Sequence, residues 1–126
     1  MNYKTEYKAV AGLGSAKDGT GHFISQRLSA IALIALGPLF LFPFVNALGE
    51  GHQAVLETYR HPFNALIAAG LMIVGFRHLR LGVQVVIEDY VHGERRKLVL
   101  MVLNALIWRG FAVAGVFAVA KIALGA

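Results

Sequence analysis

Cysteine is absent from this chain, which excludes a structural disulfide, a thiol nucleophile and an iron-sulfur cluster held by the chain itself. Acid is scarce too, with seven Asp and Glu against twelve Lys and Arg and a formal charge of +5. None of those acids falls within the three long apolar stretches, 28–48, 63–87 and 98–124. Charged residues make up 15% of the 126 residues and hydrophobic ones 57%, with a mean hydropathy of +0.62. An ordinary soluble domain is excluded.

Each apolar stretch reaches the roughly 20 residues that a helix needs to cross the hydrocarbon. The expected fold class is therefore an all-α integral membrane protein, with three transmembrane helices in one domain, 25–126, preceded by an arm, 1–24. Gly12, Gly14, Gly19 and Gly21, mixed with Lys, Ser and Asp, suit a flexible or partner-held arm rather than a folded domain. A cleavable signal peptide is not expected, since about 27 mostly polar residues precede the first stretch and no small-residue cleavage pattern follows it. Proline is rare, with three residues in all. Pro38 and Pro43 predict a kink or an early helix end near Pro43, and Pro62 is placed to open the second span at its first turn.

Lys4, Lys8, Lys17 and Arg27 precede the end of the arm or lie just beyond it, and Arg95, Arg96 and Lys97 follow the second stretch, against Arg60 in the first loop and Lys121 near the end. Basic residues near span ends favour the cytoplasm, which places the N-terminus and the loop 88–97 there and the C-terminus in the periplasm. The basic excess is topological, and no nucleic-acid motif accompanies it. His52 and His61 lie in the first loop without a cysteine or a His-x3-His spacing, and read as surface residues.

What stands out is charge at bilayer depth. His78 is the only histidine deep in an apolar stretch, and Arg77, Arg80 and Arg109 lie at similar depth. Such groups are costly and are retained chiefly where they bind or conduct something. With no carboxylate in the spans, their counter-charge has to come from a partner subunit or an anionic cofactor such as haem with its propionates. Snorkelling toward one interface is the other explanation, although the reach from the middle of a span is long.

At about 100° per residue, Arg77, Arg80, Gln84 and Glu88 share one helical stripe, while Gly75, His78, Gly82, Val85 and Asp89 share the next. Gly75 and Gly82 leave room beside His78 for a flat macrocycle on a ring nitrogen. Equally, they are small residues of the kind that let membrane helices pack, with His78 as an interhelical hydrogen bonder. At the end of the second stretch come Glu88, Asp89, Tyr90 and His92, with Arg27 and Ser29 of the first span expected at the same level. A tyrosine backed by a carboxylate and an arginine offers a quinone both a donor and a proton route. An aromatic-belt tyrosine among interfacial charges accounts for the same residues.

Together, His78, Gly82, Gln84, Val85, Asp89 and Tyr90, with Arg27 ahead of the first stretch and the run 81–93, LGVQVVIEDYVHG, resemble the small hydrophobic membrane anchor subunit of succinate dehydrogenase, respiratory complex II, in its alphaproteobacterial form. The likeness covers the chain from His22 onward. It implies a subunit of a bacterial inner-membrane complex that performs no succinate chemistry and holds no catalytic residue for it. A flavoprotein subunit takes the electrons from succinate, and an iron-sulfur subunit passes them to ubiquinone, bound where that protein meets two anchor subunits. By the same resemblance, His78 is an axial ligand to the iron of a b-type haem (heme b) shared with the second membrane-anchor subunit. Tyr90 bonds a ubiquinone carbonyl, Asp89 supports that site, and Arg27 lies near the quinone or a haem propionate.

Arg77, Arg80 and Arg109 fall outside the matched pattern. Arg80 and Arg109 are candidate propionate partners only because they lack counter-ions. Two further readings stay open: a small transporter or channel subunit whose buried arginines line an anion path, and a structural anchor that holds no haem.

Overall fold

The computed structural model describes residues 19–125, which form helices α1 (Gly19–Leu48), α2 (His52–Arg60), α3 (Pro62–Tyr90) and α4 (Glu94–Leu124). Helices α1, α3 and α4, of 30, 29 and 31 residues, are long and apolar enough to cross a membrane. At 1.5 Å per residue each runs to roughly 45 Å, beyond the hydrocarbon and into both headgroup layers. The all-α membrane architecture is the expected one.

Its boundaries differ from those of the apolar stretches. Helix α1 begins at Gly19, so residues 19–24, expected in the arm, are helical, while 1–18 lie outside the described residues. Extending a helix that an apolar segment has nucleated adds one hydrogen bond per residue fixed. Polar residues such as Ser25 and Gln26 are thereby carried into the helix ahead of the apolar stretch.

Nor does α1 stop at Pro43, since Pro38 and Pro43 both lie inside it. Pro43 leaves the Leu39 carbonyl without its intrahelical donor, and the same turn is supported from outside. Tyr59 of α2, only 4% exposed, donates its phenol to the Phe40 carbonyl at 2.9 Å. Its ring also packs on Phe40 at 5.3 Å between centroids. Helix α2 itself stands where the sequence suggested only a loop. Pro62 opens α3 at its first turn, as its missing N–H predicts.

The three long helices form a layer with α3 in the middle. It packs on both α1 and α4, which among the described residues do not meet. With no hydrophobic drive between helices in lipid, contact falls to small residues that let backbones approach. Ala65 and Ala68 of α3 are buried, Gly70 and Gly75 face Leu36 and Leu33 of α1, and Gly115 of α4 faces Met72. Across the other seam, buried Asn104 of α4 donates its amide to the Arg80 carbonyl at 3.0 Å. At most 11% of the apolar window of any span is buried within the chain, so nearly the whole lateral surface is left for lipid or partners.

Candidate functional site

Helices α1 and α3 run antiparallel, with Leu36 beside Gly70, Leu33 beside Gly75 and Gln26 beside Gly82. That register carries Ser29 to His78. Ser29, 6% exposed, donates its hydroxyl hydrogen to the Gln26 carbonyl one turn back at 2.9 Å. The same oxygen lies 2.9 Å from His78 Nδ1. On the other side of the ring, the Gln26 amide nitrogen lies 3.4 Å from Nε2, near the outer limit for such a bond. Gln26 Oε1 is buried with no partner.

Both glycines beside His78 face α1. A methyl added at Gly75 would meet Leu33 at 3.9 Å, and one at Gly82 would meet Gln26 at 3.8 Å. These are ordinary contact distances, so the α1–α3 approach would admit an alanine at either position. The Gln26 amide stands at Nε2, where a ligand to that nitrogen would have to lie.

The arginines gather on the other seam. A cleft of about 260 Å³ between α3 and α4 is lined by Phe76, Arg77, Arg80, Trp108, Arg109 and Ala112. Phe76 stacks on Trp108 at 6.0 Å and on Phe111 at 5.8 Å, and Trp108 and Phe111 meet at a tilt at 6.0 Å. Arg77 reaches across to α1 and donates to Ser25 Oγ at 3.3 Å, while Arg80 Nε is buried without a partner. Three guanidinium groups thus share one cleft, in spans whose apolar stretches hold no acid.

At the end of α3, Asp89 and Tyr90 are exposed, Tyr90 to 78%. Gln84 donates to Glu88 Oε1 at 2.9 Å along the helix. Lys97 donates to the Glu88 carbonyl at 3.0 Å, tying the start of α4 to the end of α3.

Arg27 and Ser29 do not join this group, contrary to the level expected from the sequence. In the observed register Arg27 stands opposite about residue 81, roughly 13 Å along the axis from Tyr90. Its guanidinium lies 5.1 Å over the Phe23 ring on the outside of α1. The offset arises because α1 starts nine residues before its apolar stretch, so position 28 is well inside the helix rather than at its mouth. Sequence reasoning did not connect Ser29 with His78, and it passed over Gln26 and Asn104. Uncharged polar residues in or beside an apolar span, as these are, were the available signal.

Over residues 1–117 the chain matches the family of succinate dehydrogenase/fumarate reductase transmembrane subunits. It is 40% identical over 126 residues, all of this chain and 97% of the relative, to the succinate dehydrogenase hydrophobic membrane anchor subunit of Paracoccus denitrificans. The subunit of the same name from Rickettsia conorii is 31% identical over 105 residues, 80% of this chain and 82% of that one. The succinate dehydrogenase membrane anchor subunit of Reclinomonas americana is 29% identical over 94 residues, 72% and 78% of the two chains. No solved structure matches the chain. With the three apolar helices and the full-length likeness agreeing, the chain belongs to the succinate dehydrogenase/fumarate reductase transmembrane subunit family, as a multi-pass membrane anchor.

Proposed function

We propose that this anchor holds a succinate dehydrogenase in the bacterial inner membrane, supplies one axial histidine to a b-type haem shared with a second anchor subunit, and helps form the site where ubiquinone is reduced. Its partners in this reading are that second anchor, a flavoprotein subunit and an iron-sulfur subunit. Succinate oxidation takes place on the partners. The basic residues at the 88–97 end, Arg95 to Lys97, put that end and the N-terminus in the cytoplasm and the C-terminus in the periplasm.

The observation that carries the haem reading is the pair of contacts at His78, with Ser29 Oγ 2.9 Å from Nδ1 and only a long Gln26 contact of 3.4 Å at Nε2. A neutral imidazole whose Nδ1 hydrogen is taken by Ser29 keeps its lone pair on Nε2. A haem iron needs that donor, and when bound it supplies reversible one-electron chemistry. The other residues fit such a group. Gln26 holds a buried, unsatisfied amide oxygen beside Nε2, and Arg77, Arg80 and Arg109 offer cations for propionates. Arg27, at the depth of His78 rather than of Tyr90, suits a propionate better than the quinone. His78 is the single histidine within the apolar part of the spans, so a six-coordinate iron needs its second ligand from a partner.

The purified complex tests this directly. The wild type should show a b-type Soret band, and His78→Phe should abolish or alter it. An unchanged spectrum in His78→Phe excludes axial ligation.

A further inference from the structure

We infer that Ser29 is a positioning residue for His78: it selects the imidazole tautomer that frees Nε2 to bind a metal, and it orients the ring. The inference rests on the haem reading above and adds a residue and a role to it. A serine hydroxyl has one hydrogen, and that of Ser29 is committed to the Gln26 carbonyl at 2.9 Å. With only lone pairs then left toward His78 Nδ1, also at 2.9 Å, both bonds form together only when Nδ1 is the donor. In a neutral ring this leaves Nε2 as the acceptor.

A bond that merely tied α1 to α3 would work with either tautomer. Here the back-bond within α1 removes one of the two. Metal-binding histidines need a partner of this kind on the far nitrogen, where it fixes the tautomer and strengthens the ring as a donor.

The surroundings separate the two nitrogens. Ser29 is 6% exposed and engaged on both sides. Gln26, facing Nε2, makes one long contact at 3.4 Å and leaves its own oxygen unsatisfied. Nδ1 is thus held firmly, while Nε2 has a neighbour that loses little by moving away. Ser29 and Gln26 lie three residues apart, so a single turn of α1 serves both nitrogens.

The test uses the intact purified complex, read by redox titration and by electron paramagnetic resonance of the ferric haem. Ser29→Ala leaves the Nδ1 hydrogen without an acceptor in a dry interface and weakens the ring as a donor to ferric iron. The haem midpoint potential should then rise and the low-spin g-values shift, while haem affinity falls about 10–100-fold. Ser29→Thr, which keeps the hydroxyl, should restore all three. A potential and g-values unchanged in Ser29→Ala overturn the inference, whatever happens to heat stability. If Ser29→Ala does not assemble, the isosteric pair Ser29→Thr and Ser29→Val decides, and identical potentials in that pair overturn it. A wild-type complex without b-type absorbance, or a His78→Phe spectrum like the wild type, fails the haem reading instead and leaves this bond a packing contact.

Discussion

Unsatisfied polar atoms mark the middle of α3. Gln26 Oε1, Arg80 Nε and Asn104 Oδ1 are buried without partners, and Gln26 and Asn104 face the turns of Gly82 and Arg80. Leaving a buried polar group unpaired costs about 1–3 kcal/mol, so among the described residues this band is unfinished beside the arginines of the spans. At the periplasmic end of the proposed topology the polar groups are satisfied, and Tyr59 illustrates how. Tyr59→Phe should destabilise the chain by about 1 kcal/mol, the net worth of its bond to the Phe40 carbonyl, and thermal melts of the complex would measure it. Burial also pushes the Tyr59 phenol pKa up. A folded value above the unfolded one means that this stability is complete below the ordinary tyrosine value of about 10 and is lost as pH rises through the folded value. The melting point of the wild type should therefore fall faster above about pH 10 than that of Tyr59→Phe. Equal slopes would sink the assignment.

At the scale of elements, three spans were legible because apolar runs of this length have few other uses. The short helix α2 was missed although Val55, Leu56 and Tyr59 recur at helical spacing within it, because a polar segment flanked by Gly49, Gly51 and Pro62 reads as a loop. The start of α1 was missed for another reason. Hydropathy marks where a span becomes apolar, while the backbone continues its hydrogen bonding into polar sequence, and that difference carried Arg27 and Ser29 away from Tyr90 and toward His78. The pairing of Ser29 with His78 depends on interhelical register, which periodicity within one segment does not contain. Gly115 sets one such register. A methyl there would meet Met72 at 3.0–3.4 Å, so Gly115→Leu should cost about 1–3 kcal/mol by overpacking the α3–α4 seam. Adding Met72→Ala should recover part of that loss, because contacting residues do not act additively. An unchanged melting point in the single variant would show that the seam has room after all.

For the molecule as a whole, the candidate site residues singled out in the sequence divide between two places. His78 and the arginines lie mid-layer. Asp89 and Tyr90 stand at the end of α3, with Tyr90 78% exposed, so its phenol is open to a hydrogen-bond partner. In the proposed complex that partner is a ubiquinone carbonyl. Tyr90→Phe should then slow succinate-to-quinone turnover roughly tenfold, the loss of about one good hydrogen bond, while succinate oxidation with an artificial acceptor persists. Equal loss in both assays would remove Tyr90 from the quinone site.

Because α1 and α4 do not touch across α3, this protein has no interior in the sense that a closed bundle has one. Each residue of the middle helix is one side chain away from open surface. His78 is half-buried against α1, and in the proposed complex a flat cofactor would reach it only from the flank that Gln26 now covers. In the proposed complex a second anchor would close that flank of the three-helix fence, so holding the haem and holding the partner would be one and the same requirement.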